Sequence, residues 1–121
     1  MATATDTPAR AMSEAELYEG VADLLKGLGW RYFHISAKAY KKHAVREGFL
    51  DLIMVKGGRL LFAELKRETG NLSDEQQGWL ADLRRHDECC VAQVHPYGVY
   101  VWKPSQLLDG TIARILAGGR A

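Results

Sequence analysis

Two acidic residues and a nearby lysine, set in apolar strand-like segments, are the side chains of this sequence best placed to do chemistry. The stretch 48–70, GFLDLIMVKGGRLLFAELKRETG, has two apolar runs around Gly57-Gly58. This dipeptide suits the positive φ angles of a two-residue hairpin turn. Counting back along the antiparallel ladder from that turn sets Asp51 opposite Glu64, at about 5 Å. The pattern therefore predicts two facing carboxylates.

Lys66 follows Glu64 by two positions, so strand alternation puts it on the same face. Facing carboxylates in apolar strands are destabilising on their own, and hard divalent cations prefer carboxylate ligands. The three residues indicate a divalent-metal site with a catalytic lysine. The alternative is a structural salt-bridged cluster in which Lys66 neutralises one acid. Because the strands are apolar on both faces, we expect helices on both sides of the sheet, and a cleft for the acids near a strand end.

Length and composition indicate one ordinary globular domain. The chain has 121 residues, of which 47% are hydrophobic and 26% charged, and its net charge of +1 requires any nucleic-acid footprint to be local. Adjacent Cys89 and Cys90 suit neither an ordinary disulfide nor a zinc site, which fits a reducing compartment. The sequence has no long apolar run and no signal peptide, so we expect a cytoplasmic protein. We expect residues 1–12 to form a flexible tail.

The first predicted helix follows Ser13 and carries an apolar stripe at helical spacing. Glu16 has two interpretations there. It completes a capping box with Ser13, or its carboxylate borders the metal cleft, with Gly20 one turn later leaving room for a ligand. The residues alone favour the cap.

A basic segment follows the first predicted strand, Trp30–Ile35. Residues 37–47 have a net charge of +3, with aromatic and basic residues interleaved, which suits contact with a nucleic-acid backbone. A solvated loop would look the same. His34 is a further candidate substrate contact, although a lone histidine in a strand is more often packed or half-exposed. The candidate DNA-binding residues are Lys38, Lys41, Lys42, Arg46 and His34.

The remaining pattern predicts a mixed sheet between helices. A second helix runs from Asp74 to about Arg85 after the cap Ser73. Gln76 fits a capping box with Ser73, and its amide could instead point at a metal-bound water or a phosphate; the residues favour neither role. Strands over 90–94 and 99–102 and a last helix from Pro104 complete an α/β order of helix, three strands, helix, two strands, helix.

Together these residues resemble the PD-(D/E)XK nuclease superfamily, and within it the VRR-NUC family of small phage, bacterial and DNA-repair-associated nucleases, which are similar to Holliday-junction resolvases. The acid–strand motif alone is loose, but the ordered set is specific. That set comprises Glu16, Gly29-Trp30, GFLD (48–51), ELK (64–66), LSDEQQGWL (72–80) and VYVWKPS (99–105). The resemblance implies a restriction-endonuclease-like three-layer αβα fold, a mixed central sheet flanked by helices, formed by one nuclease domain over residues 13–117.

The resemblance also implies roles for individual residues. Lys66 would orient or deprotonate the attacking water and steady the charge of the transition state. Leu50 stands where the family usually has proline; because that proline is a backbone device, we expect a small shift of strand geometry with the chemistry retained. The implied ligands of Mg²⁺ or Mn²⁺ are Asp51, Glu64, the Leu65 backbone carbonyl and Glu16, and the implied catalytic residues are Asp51, Glu64, Lys66 and Gln76.

The function that the resemblance implies is a metal-dependent endonuclease acting on branched or structured DNA in phage or bacterial DNA processing, in the cytoplasm of a bacterium or a phage-infected host. Its products would carry a 5′-phosphate and a 3′-hydroxyl. The alternatives are a catalytically weak nucleic-acid-binding module that assists a helicase or replication partner, and a structural domain with an ion-paired hairpin. Junction-cutting relatives use two sites at fixed separation, which makes a homodimer reasonable; no residue pattern here demonstrates one.

Overall fold

The computed structural model describes residues 6–35, 49–84 and 97–118, which form helices and one sheet. The helices are α1 (Asp6–Ala11), α2 (Glu14–Gly27), α3 (Asp74–Arg84), α4 (Pro104–Leu108) and α5 (Thr111–Leu116). The strands are β1 (Arg31–His34), β2 (Leu52–Lys56), β3 (Arg59–Leu65) and β4 (Tyr97–Trp102). None of the helices in these ranges combines the length and the hydropathy needed to cross a membrane.

The four strands form a mixed sheet in the order β1-β2-β3-β4. β2 is antiparallel to both β1 and β3. Lys56 pairs with Arg59 across the turn, and the φ angles of Gly57 and Gly58 are 53° and 85°, the left-handed conformations that a two-residue hairpin of this kind requires. The predicted hairpin and its register are confirmed, as is the α/β fold with a mixed sheet and helices.

The described residues belong to two compact units. The first unit lies within Met1–Trp30, Leu65–Asn71 and Val101–Ala121. In it, α2 packs against α4 and α5, and the indole N–H of Trp30 donates a buried hydrogen bond of 3.0 Å to the carbonyl of Leu116. The core side chains of this unit include Leu17, Val21, Leu25, Trp102, Ile112 and Ile115.

The second unit lies within Arg31–Glu64 and Leu72–Tyr100. One face of its strands is buried through side chains that include Leu52, Met54, Leu61 and Ala63. The opposite face is less covered than the apolar pattern predicts, because Phe33 is 62% and Val55 is 42% exposed. Val55 lies next to the turn, at the tip of the hairpin, where the strand has little to pack against.

The N-terminal segment departs from the prediction of a flexible tail over residues 1–12. That prediction is wrong for residues 6–11, which form α1. Ala9 is fully buried, and α1 packs against α4. Alanine has the highest helix propensity, and the packing of one small face stabilises a helix too short to stand alone. A single domain over residues 13–117 stays a prediction.

The C-terminal segment also differs from the single helix that its apolar spacing predicts. It forms two helices, α4 and α5, separated by Asp109 and Gly110. Gly110 has a φ of 86°, a conformation that glycine adopts without steric cost and that ends a helix. The strand predicted over residues 90–94, Cys89 and Cys90 lie outside the described residues.

Candidate active site

Glu64 occupies an unusual position for a carboxylate. It is the penultimate residue of β3 and is 2% exposed, the one buried charged side chain in the part of the chain that the structure describes. Moving an ionised carboxylate from water into a protein interior costs several kcal/mol per ion. A group retained at that cost is a candidate for function rather than for stability.

Gln76 contacts Glu64 directly. Its side-chain Nε2 donates a hydrogen bond of 2.7 Å to Oε1 of Glu64. The same amide caps α3: its Oε1 accepts from the backbone N–H of Ser73 at 2.9 Å, and the backbone N–H of Gln76 donates to Oγ of Ser73 at 3.1 Å. The capping interpretation is therefore confirmed. The amide nitrogen binds the carboxylate of Glu64, a partner that the sequence did not indicate.

Asp51 lies immediately before β2. The paired residues of the ladder end at Leu52 and Ala63, so the register is the one from which the facing of Asp51 and Glu64 was predicted; that facing itself stays a prediction. The Asp51 carbonyl accepts a hydrogen bond of 2.9 Å from the backbone N–H of Ile35, which fixes the backbone at the start of the strand.

Two aromatic residues hold the segment before Asp51 against α3. The rings of Phe49 and Trp79 meet edge to face, with centroids 4.7 Å apart, a favourable geometry for aromatic pairs. Trp79 and Gln76 are three residues apart on α3 and lie on one face of the helix. One helix face thus contacts both acidic segments, at Phe49 and at Glu64. Leu50, directly before Asp51, is fully buried.

The residues after β3 are anchored one by one. The backbone N–H of Lys66 donates to the carbonyl of Trp102 at 3.0 Å, and the side chain of Lys66 is half-buried. Arg67 donates through Nη2 to the carbonyl of Arg10 at 3.3 Å, and Glu68 accepts from the backbone N–H of Ser105 at 2.9 Å. These contacts fix the backbone from which Lys66 projects.

Glu16 serves as a helix cap. Its Oε1 accepts from the backbone N–H of Ser13 at 3.1 Å, and its own N–H donates to Oγ of Ser13 at 3.0 Å. The bond from the Ser13 backbone, then that from its hydroxyl, and more weakly the charge of Arg67, hold the pKa of the exposed Glu16 carboxyl below its usual 4.5. The room for a ligand that was expected beside Gly20 is taken up by the side chain of Leu107.

The structure gives little support to the remaining predicted site residues. His34 is exposed at the end of β1. The basic residues Lys38, Lys41, Lys42 and Arg46 lie outside the described residues. Among the side chains that the structure does describe, no three of the types His, Cys, Asp and Glu cluster closely enough to hold a metal ion. The roles of Glu16 and the Leu65 carbonyl as ligands stay predictions.

The sequence missed two contacts that shape this region, the Gln76–Glu64 hydrogen bond and the Phe49–Trp79 pair. Part of each contact was predictable from the sequence, because helical spacing places residues 76 and 79 on the same helix face as Leu80. The helical spacing does not show which strand segment this helix face contacts.

The family model of the VRR-NUC domain matches residues 9–96, well over half of the chain. The protein belongs to the VRR-NUC family. The matched range includes Asp51, Glu64, Lys66 and Gln76, and its start at residue 9 falls inside α1 rather than after the expected tail.

A solved structure described as a VRR_NUC domain supports the same fold. The two chains are 17% identical, with a TM-score of 0.58, and the alignment covers 84% of this chain and 96% of the other. At this identity the likeness shows the fold alone, a nuclease-like one. Comparison with curated proteins gives no match.

Proposed function

We propose that this VRR-NUC domain is a metal-dependent endonuclease that hydrolyses phosphodiester bonds of DNA. The observation that carries the proposal is the buried carboxylate of Glu64, held by the amide of Gln76 at the end of β3. The family match supports nuclease chemistry in general, and a carboxylate kept in the interior at a cost in stability supports this position as its centre.

The donor set fits Mg²⁺ or Mn²⁺. A carboxylate offers about four lone-pair sites, so the Gln76 hydrogen on Oε1 of Glu64 leaves capacity for coordination. Mg²⁺ is commonly held by one or two carboxylates, with waters and substrate phosphate oxygens completing its shell. Glu64 and Asp51 supply that number, and the described residues contain no larger cluster. The Leu65 carbonyl and Glu16 are further proposed ligands.

When bound, such an ion would acidify a water and offset the charge of the phosphodiester. The chain's own groups would do the rest. Lys66 would hold the attacking water and accept its proton or balance the charge that builds up on the phosphate. Attack at phosphorus with cleavage of its bond to the 3′ oxygen would leave a 5′-phosphate and a 3′-hydroxyl. Gln76 would keep the Glu64 carboxylate oriented.

We further propose that the substrate is branched or otherwise structured DNA, handled in the cytoplasm of a bacterium or a phage-infected host, and that two copies could cut opposite strands as a homodimer. The resemblance to junction-cutting nucleases supports these finer statements. Lys38, Lys41, Lys42, Arg46 and His34 are the proposed contacts to the DNA backbone.

The experiment that tests the function compares cleavage of matched linear, nicked, flapped and four-way-junction DNA in Mg²⁺ or Mn²⁺. Wild type is assayed beside Lys66→Ala and the matched control Lys26→Ala, which removes an exposed lysine from the last turn of α2. We expect wild type and Lys26→Ala to cleave alike and Lys66→Ala to lose at least about a hundredfold in rate. Binding without cleavage by wild type would refute a nuclease and favour the helper module.

A further inference from the structure

A continuous chain of hydrogen bonds joins the backbone at the start of α3 to the buried carboxylate. The N–H of Ser73 donates to Oε1 of Gln76 at 2.9 Å, and Nε2 of the same side chain donates to Oε1 of Glu64 at 2.7 Å. The Ser73 hydroxyl closes the capping box by accepting from the N–H of Gln76 at 3.1 Å.

The chemistry of these groups allows one orientation of the Gln76 amide. The Ser73 N–H is always a donor, so it requires the amide oxygen. The amide nitrogen must then face Glu64. If the amide were flipped, its NH₂ would oppose the Ser73 N–H and its oxygen would oppose an oxygen of the buried Glu64 carboxylate, so both hydrogen bonds would be lost. The Ser73 N–H and the Glu64 carboxylate therefore require the same orientation of the Gln76 amide.

The choice of glutamine at position 76 supports a role beyond capping. Capping boxes use Glu or Gln at this position, and the helix dipole favours the negatively charged one. The box of α2 has Glu16 there. A glutamate at position 76 would cap α3 as well, but it has no N–H for Glu64. Glutamine gives up the favourable charge and supplies the donor.

We propose that Ser73 is a positioning residue of the active site, acting through Gln76 to orient the carboxylate of Glu64. The inference rests on the proposed function, because orientation matters only if Glu64 binds a metal ion. Groups that hydrogen-bond to metal ligands fix the orientation of those ligands, and their removal weakens metal binding. The capping box of α3 thus joins two functions, one for the helix and one for the site.

The first test is made on the metal-free protein. Solvent exchange of the Gln76 side-chain amide protons is measured by NMR in wild type, Ser73→Pro and Ser73→Ala. Ser73→Pro removes the backbone N–H that binds the Gln76 amide oxygen, whereas Ser73→Ala keeps that N–H and removes only the hydroxyl. We expect exchange in Ser73→Pro to be about fivefold faster than in Ser73→Ala, the factor for removal of one capping bond. Equal exchange in the two variants would overturn the inference.

The second test is a double-mutant cycle on Mn²⁺ affinity, measured by calorimetry for Ser73→Pro, Gln76→Ala and the double variant. We expect losses of about fivefold for Ser73→Pro, which removes the N–H donor, and on the order of tenfold or more for Gln76→Ala. If Ser73 acts through Gln76, the double variant binds as weakly as Gln76→Ala and no weaker. Independent, multiplying losses would overturn the inference.

A matched control separates positioning from helix stability. Gln106 caps α4 by accepting from the backbone N–H of Lys103 at 3.0 Å, so Gln106→Ala removes a comparable bond elsewhere. We expect it to lower the melting temperature without changing Mn²⁺ affinity; an equal loss of affinity would overturn the inference. If wild type binds no Mn²⁺, the proposed function fails, and the amide-exchange result still decides whether Ser73 orients Gln76.

Discussion

Glu64 is a residue at which the requirements of stability and function oppose each other. Its carboxylate is buried in the second unit, where the neutral amide of Gln76 donates one hydrogen bond to it. A hydrogen bond to a charged group offsets part of the desolvation cost of that group. A divalent ion at this position would offset more of the cost, so stability and metal binding should be coupled.

Replacement of Glu64 by glutamine tests this coupling. In Glu64→Gln the side-chain oxygen can still accept the hydrogen bond of Gln76, while the buried charge is gone. We expect the free energy of unfolding without divalent ions to rise by about 1 kcal/mol or more. Urea denaturation in EDTA and in Mn²⁺ provides the measurement. A variant less stable than wild type in EDTA would contradict a net cost of burying the charge at Glu64.

Leu50 stands where the resemblance implies a proline. Its side chain is fully buried directly before Asp51, so it forms part of the core. We expect Leu50→Pro to lower the free energy of unfolding by about 1–3 kcal/mol because the buried leucine side chain is removed, while Mn²⁺ still binds. Thermal unfolding of this variant measures its stability, and calorimetry measures its Mn²⁺ affinity. A more stable Leu50→Pro would show that backbone stiffness outweighs packing here.

Among the elements, α3 is the one that organises the site. Its capping box was predictable from Ser73 and Gln76, three positions apart in the pattern S-x-x-Q, because capping is local chemistry. The bond from Gln76 to Glu64 spans twelve positions of sequence and depends on how α3 packs on β3. The sequence pattern allowed Gln76 either to cap α3 or to point its amide into the site. The structure shows that the amide oxygen binds the Ser73 N–H and the amide nitrogen binds Glu64.

The hairpin of β2 and β3 was the most predictable element, because a two-residue turn fixes the register. Both turn glycines have positive φ. We expect Gly58→Ala to lower stability by roughly 1–2 kcal/mol through strain, and Gly57→Asn to be close to neutral, since asparagine suits the first position of this turn. Urea denaturation of both variants measures this. A neutral Gly58→Ala would contradict the turn geometry.

The cap of α2 makes a prediction about pH. The Ser13 bonds depress the pKa of Glu16, so its ionised form stabilises the folded state above the unfolded value of 4.5. That contribution is lost as the pH falls through the lower, folded pKa. Glu16→Gln keeps a capping acceptor but does not titrate. We expect the advantage of wild type over Glu16→Gln at about pH 6 to shrink progressively as the pH falls below 4.5, as measured by thermal unfolding; a constant difference would contradict it.

At the scale of the whole molecule, the ordered motifs predicted the family and the α/β fold, since both rest on long apolar runs and spaced polar residues. Two features were not predictable in the same way. Helix α1 depends on the burial of Ala9, a tertiary effect invisible in a short Ala-rich segment. The break at Gly110 depends on one left-handed residue inside an otherwise helical apolar pattern.

Asp51 and Glu64 as ligands stay a proposal, in which water and substrate oxygens complete the shell of the ion, as is common for Mg²⁺. We therefore expect metal affinity to increase when DNA is bound, because the phosphate completes the coordination shell.

The measurement that tests the central claim most directly is cleavage of a labelled four-way junction over a Mn²⁺ titration, by wild type and Glu64→Gln. The account predicts that wild type cleaves with saturable dependence on Mn²⁺, that EDTA abolishes cleavage, and that Glu64→Gln stays folded and loses at least about a thousandfold in rate. Cleavage by wild type in EDTA, or wild-type rates in Glu64→Gln, would contradict a metal-dependent nuclease centred on Glu64.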